Sequence, residues 1–120
     1  MDTILNDFTL IAKDIYGSHL KKVILYGSYA RGDYHEGSDI DIMILVDLDD
    51  TEIKRIGNIL SDKTYDINYD NNTMIMPIVQ NIDFFNKWVR AYPFYNNVYN
   101  EGVELYAAGW CRRSQRIGDS

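Results

Sequence analysis

The chain reads as an α+β domain, close to α/β, with a central sheet covered by helices. Two features of the pattern predict this. Four short runs of strand length, at Lys22–Tyr26, Asp39–Asp47, Met74–Val79 and Gly102–Tyr106, alternate with segments of helical spacing. A length of 120 residues suits a single domain, and a chain of this size buries about two-thirds of its unfolded surface around one core.

The elements follow in order. Residues Met1–Tyr16 place Ile4, Leu5, Phe8, Ile11, Ala12 and Ile15 at helical spacing, and Gly17 stands where a helix stops. Lys22–Tyr26 (KVILY) is a β-branched, apolar strand that ends at Gly27-Ser28. Tyr29–Ser38, with Gly32 and Gly37 among polar residues, reads as a short helix followed by a loop. Asp39–Asp47 (DIDIMILVD) is a second strand, acid and isoleucine alternating in its first half and apolar in its second. Thr51–Ser61 is an amphipathic helix with Ile53, Ile56, Ile59 and Leu60 on one face, capped by Thr51 or Asp50. Met74–Val79 is a third strand, which Pro77 consigns to an edge or a bulge because it lacks an N–H. Asp83–Arg90 and Phe94–Asn100 read as helices separated at Pro93, and Gly102–Tyr106 (GVELY) closes the sheet. One domain therefore spans 1–120, with 1–17 as its amino-terminal helix and 107–120 as a loose polar tail.

Composition excludes several classes. At 46% hydrophobic and 25% charged, the chain is neither disordered nor collagen-like. Its net charge of −6 argues against gripping a nucleic-acid template, which needs clustered Lys and Arg. No apolar run approaches the roughly 20 residues of a membrane span. The single Cys111, beside Arg112 and Arg113, cannot form an internal disulfide, and the first residues lack a signal-peptide pattern. Both features point to the reducing cytoplasm. The ten tyrosines are scattered and read as core-edge side chains with hydroxyls in water.

One block carries chemistry. Asp39 and Asp41 project to the same side of a strand, about 6.5 Å apart along it. Two ionised carboxylates so close repel each other. A divalent cation between them removes the repulsion, and hard oxygen donors suit Mg²⁺, which also takes substrate phosphates. Upstream, Gly27 permits a sharp turn and close approach of a ligand. Ser28 and the leading amides of the next helix are donors aimed at an anion. Arg31, one turn on, meets phosphate or pairs with an acid to brace the loop. Such a kit suits moving a phosphoryl or nucleotidyl group.

The stretch GSYARGDYHEGSDIDIMILV, Gly-Ser then Arg-Gly then Asp-x-Asp on the next strand, resembles the signature of the DNA polymerase beta-like nucleotidyltransferase superfamily. Its brevity is similar to the minimal nucleotidyltransferase branch, whose members are often encoded beside HEPN-domain proteins. PFYNNVYNEGVELY resembles the closing segment of bacterial nucleotidyltransferase-domain proteins, so the likeness covers about Lys21–Tyr106. The resemblance implies a small central mixed sheet flanked by helices. It implies transfer of a nucleoside monophosphate from ATP or another triphosphate to a hydroxyl on a protein or small molecule. Gly27 and Ser28 would hold phosphates, with Arg31 and Ser38 as further nucleotide-binding candidates. Asp39 and Asp41 would bind the catalytic Mg²⁺, two ions in an active enzyme.

One departure stands out. Relatives bring a third carboxylate from a neighbouring strand, and Met74–Val79 has no acid. Asp70, or Asp66 before it, would reach the site only if that strand begins earlier, and Asp70 is the third catalytic candidate on that condition. The departure supports an alternative: a catalytically weakened interaction module, antitoxin-like, docking on a HEPN-type protein. No acceptor-binding domain fits in this length, so the acceptor would arrive on such a partner or on a second copy of the chain. His35 in the connecting loop is near enough to contact a base or acceptor, though a solvated loop residue is the simpler reading. Neither His19 nor Tyr34 is assigned a role.

Overall fold

The computed structural model of the protein describes residues 2–35 and 37–108. Cys111 with its neighbouring arginines, and all of the expected tail beyond Ala108, lie outside the described residues. The element order is α1 (Asp2–Tyr16), a 3₁₀ turn, β1 (Leu20–Tyr26), α2 (Ser28–Arg31), β2 (Ile40–Val46), α3 (Asp50–Asn71), β3 (Ile75–Asn81), α4 (Ile82–Trp88), α5 (Pro93–Glu101) and β4 (Val103–Ala107). The four strands form one mixed sheet in the order β3-β2-β1-β4. Its β1 runs antiparallel to both β2 and β4, and β2 runs parallel to β3. The expected mixed sheet flanked by helices is what forms.

Alternation along the strands splits the core in two. Val23 and Leu25 of β1 with Ile40, Ile42, Ile44 and Val46 of β2 face α1 and α3, where Leu5, Phe8, Ala12, Leu60 and Ile67 meet them. Ile24, Tyr26, Met43 and Leu45 face the other way, onto Phe85 of α4 and Val98 of α5. Asp39 and Asp41 share that second face by the same alternation. Because β2 is covered on both sides, its second half has to be continuously apolar. Among the described residues no helix is long and apolar enough to cross a membrane.

Several boundaries differ from the sequence reading, each for a local reason. Helix α3 does not stop at Ser61 but runs on to Asn71, because Leu60, Thr64 and Ile67 continue its buried stripe through a polar-looking segment. Its cap is Asp49, whose side chain accepts from the Glu52 amide at 2.9 Å, not Thr51 or Asp50. Pro93 opens α5 at its first turn, where its missing N–H costs nothing. The edge position inferred from Pro77 holds, since β3 is an edge strand. His19, assigned no role from sequence, has its Nδ1 2.7 Å from Asp47 Oδ1. That contact, ahead of all other influences, holds the Asp47 carboxyl below its usual range.

The turn from α3 into β3 is built on Asn68. Its Oδ1 accepts from the Ile75 amide at 2.8 Å and the Thr73 hydroxyl at 3.0 Å, and its Nδ2 donates to the Ile75 carbonyl at 3.2 Å. The side chain thus pairs with Ile75 as a neighbouring strand would, setting the start of β3 beside the start of β2. Asn68→Ala leaves these groups unpaired in a half-buried turn. The expected loss is about 2–3 kcal/mol of stability, read as a lowered midpoint in urea with an unchanged slope.

Candidate active site

The antiparallel register sets Tyr26, the last residue of β1, opposite Asp41. The chain leaving β1 therefore has to turn directly over the Asp41 carboxylate, and Gly27 makes that turn with φ +78° and ψ −154°. A Cβ at Gly27 would overlap the Asp41 carboxylate, so only glycine combines this backbone shape with this approach. Ser28 then opens α2, a single turn whose leading amides have no intrahelical partners. Gly32 ends it in the left-handed conformation.

A cavity of about 640 Å³ lies over this junction. Gly27, Ser28 and Arg31 form one wall, Asp39 and Asp41 another, and loop residues including His35 and Ser38 the rim. The structure brings the two halves of the sequence signature to one place. Ser38 is already partly engaged: its Oγ accepts from the His35 amide at 3.0 Å, closing a tight turn before Asp39. Arg31 donates from Nε to Asp33 Oδ2 at 3.2 Å and from its terminal nitrogen to Glu101 Oε1 at 3.3 Å. Of its two readings, bracing the loop is the one realised here, and the brace reaches across to α5. Sequence spacing could not have found Glu101, which lies seventy positions away.

Electrostatics single out Asp41. Burial raises its pKa above the ordinary carboxylate value, and the charge of Asp39 raises it further, while Arg31 pulls the other way. Across the register pair, burial and then the Asp41 charge push the Tyr26 phenol up to about 12. Tyr26 is held edge-on to Phe94 of α5, with ring centroids 5.6 Å apart. Two carboxylates side by side in the wall of a polar cavity are the oxygen donors a hard divalent cation takes together with phosphate oxygens. The residues fit such an ion.

The structure does not bring Asp70 to this cavity. It lies exposed in the last turn of α3, with Asp66 one turn earlier, because that helix continues past Ser61 to Asn71. On β3 the residue in register with Asp41 is Met76, 46% exposed, with Met74 and Ile78 flanking it on the same face. Among the described residues no three acid, His or Cys side chains cluster to hold a metal ion.

Comparison with known proteins agrees with this geometry. A family model described as a nucleotidyltransferase domain matches residues 5–86, which include every residue lining the cavity. A Methanocaldococcus jannaschii protein, MJ0604, named as a protein adenylyltransferase, is 40% identical over 103 residues, 85% of this chain and 94% of its own length. A nucleotidyltransferase crystal structure from Sulfolobus solfataricus superposes with a TM-score of 0.55 at 19% identity, covering 88% of this chain and 82% of that one. A toxin–antitoxin complex solved with AMP-PNP gives 0.52 at 18% identity, over 85% of this chain and 73% of that one. These two structures share the fold. The family match runs through most of the chain and through both walls of the cavity: the chain belongs to the nucleotidyltransferase domain family.

Proposed function

We propose that this nucleotidyltransferase moves AMP from ATP to a hydroxyl group, on a protein in preference to a small molecule, with Mg²⁺ held at Asp39 and Asp41. The observation that carries the reading is the convergence of the Gly27–Ser28 turn and both carboxylates on one cavity. A relative named as a protein adenylyltransferase supports both the adenylyl group and the protein acceptor.

The residues would act as follows. Ser28 and the leading amides of α2 hold phosphate oxygens, and the bare Gly27 backbone lets the chain of phosphates lie against the turn. Mg²⁺ at the two aspartates would supply positive charge against the charge that builds on the phosphates. Arg31, fixed by Asp33 and Glu101, adds a permanent cation at the wall. With ATP so held, the acceptor oxygen bonds to the α-phosphorus in line with the bridging oxygen that departs. Pyrophosphate leaves, and the hydroxyl proton goes to solvent. A second ion would have only the same two carboxylates to share.

The test is transfer of label from ATP in the presence of Mg²⁺. Label on the α-phosphate should reach the acceptor and label on the γ-phosphate should not, and Asp39→Asn should remove the signal. Equal labelling by Asp39→Asn would refute the assignment.

A second reading rests on Met76, which occupies the strand position beside Asp41 where an acid would complete the site. Without that acid, the domain would bind nucleotide and act by docking on a HEPN-type partner as an antitoxin. The fold it shares with a toxin–antitoxin complex supports this. A partner that co-purifies and is released equally by the intact chain and by Asp41→Asn would favour docking over transfer.

A further inference from the structure

A second hollow, of about 380 Å³, adjoins the first. The two share Gly37 and Ser38, so the seam between them is a glycine backbone and one short side chain. Gly37 has φ +89°, and among the described residues beyond its chain neighbours nothing lies within 4 Å of where a Cβ would stand. The walls of the second hollow differ in kind from the charged first one. Tyr29 and Met74 supply ring and thioether surface over the buried Ile40, while Ser38, Asn72 and Thr73 supply polar atoms. Tyr29 is itself held by stacking on Tyr34, with ring centroids 4.1 Å apart and planes 11° from parallel.

Asn72 supplies the polar element. It caps α3 in the left-handed conformation, φ 54° and ψ 47°, and its carboxamide makes no hydrogen bond among the described residues. The neighbouring Thr73 hydroxyl is already committed to Asn68. A slot with a ring and a thioether in its walls and one unpaired donor–acceptor group, joined at Gly37 and Ser38 to an anion cradle, matches a nucleotide. The base would fill the slot, the sugar cross the seam and the phosphates lie in the cradle.

We infer that this second hollow, between Tyr29, Met74 and Asn72, is the base-binding subsite and that the Asn72 amide selects adenine. The inference rests on the transferase reading for its phosphate end. A carboxamide offers one donor and one acceptor side by side. Adenine presents the complementary pair on both of its edges, its amino group beside a ring nitrogen, whereas guanine does so on only one. The ring and thioether walls provide contact area that a purine fills better than a pyrimidine.

The position allows a clean experiment, because glycine is the residue best suited to a left-handed helix cap. Asn72→Gly removes the amide without straining the backbone. Binding of ATP, GTP and inorganic tripolyphosphate to the full chain with Mg²⁺ would be measured by calorimetry, with melting recorded alongside. Asn72→Gly should bind ATP about tenfold more weakly and lose its preference over GTP, while its tripolyphosphate affinity stays unchanged. Tyr29→Leu should weaken ATP but not tripolyphosphate. If Asn72→Gly and Tyr29→Leu keep ATP affinity and base preference within twofold, the subsite is elsewhere. In that event, labelling that still depends on Asp39 shows that the transferase reading survives alone. If the unaltered chain binds neither ATP nor tripolyphosphate, both readings fall together.

Discussion

Asp41→Asn is expected to abolish transfer while making the protein harder to unfold. The loss follows from removing one of two charges that would hold the cation, an interaction worth several kcal/mol at the transition state, or on the order of 100- to 1,000-fold in rate. The gain in stability comes from the environment of Asp41. Burial, and then the Asp39 charge, raise its folded pKa above the ordinary carboxyl value. For such a group the stability contribution is complete below the ordinary value and is lost as the pH rises through the raised one. At neutral pH the ionised side chain therefore strains the fold, and a neutral isostere relieves it. Because solvent reaches the carboxylate, the gain stays below about 1 kcal/mol. Calorimetry should show a higher melting temperature for Asp41→Asn at pH 7 and no difference in acid, where the native side chain is itself neutral. Mg²⁺ should raise the melting temperature of the unaltered chain by binding its folded form, and should leave Asp41→Asn nearly unmoved. A variant that melts lower than the parent at pH 7 would contradict this account of the site.

Gly27→Ala should damage the site far more than a single added methyl suggests. It forces a side chain into a backbone region that essentially only glycine occupies, at about 1–3 kcal/mol, and drives its Cβ into the Asp41 carboxylate. The turn, the carboxylate or both have to move. Displacing a reacting group by about 1 Å costs on the order of 100-fold in rate, so activity should fall further than stability. Gly57→Ala is the control. It sits in α3, where among the described residues nothing outside the helix's own backbone and its chain neighbours comes within 4 Å of the added methyl, and alanine there should stabilise the helix by roughly 0.5–1 kcal/mol. Urea unfolding and labelled-ATP transfer on both variants would check the contrast. Near-normal activity in Gly27→Ala would mean that the close approach of turn to carboxylate is dispensable.

What could be read in advance was local. Asp39 and Asp41 share a face because strand side chains alternate, and that rule needs no partner strand. Gly27-Ser28 announces a turn by residue type, and Pro77 announces an edge by its missing donor. The pairing of Arg31 with Asp33 lies within the same reach, two residues apart. The helix misjudged at its end, α3, shows where local reading weakens. Beyond Ser61 its buried stripe is carried by Thr64 and Ile67, which look like helix only once α1 and the sheet are there to cover them.

The residue types, their order and the alternation within β2 thus come from the chain alone, since they depend on neighbours a few positions apart. Tertiary structure decided which distant groups meet. It set Met76 in register with Asp41, tied Arg31 to Glu101, left Asp70 on a helix facing water, and placed Tyr29 across a hollow from Asn72. Such meetings follow from strand register and helix packing, which the burial of the whole core selects at once and no short window of sequence contains.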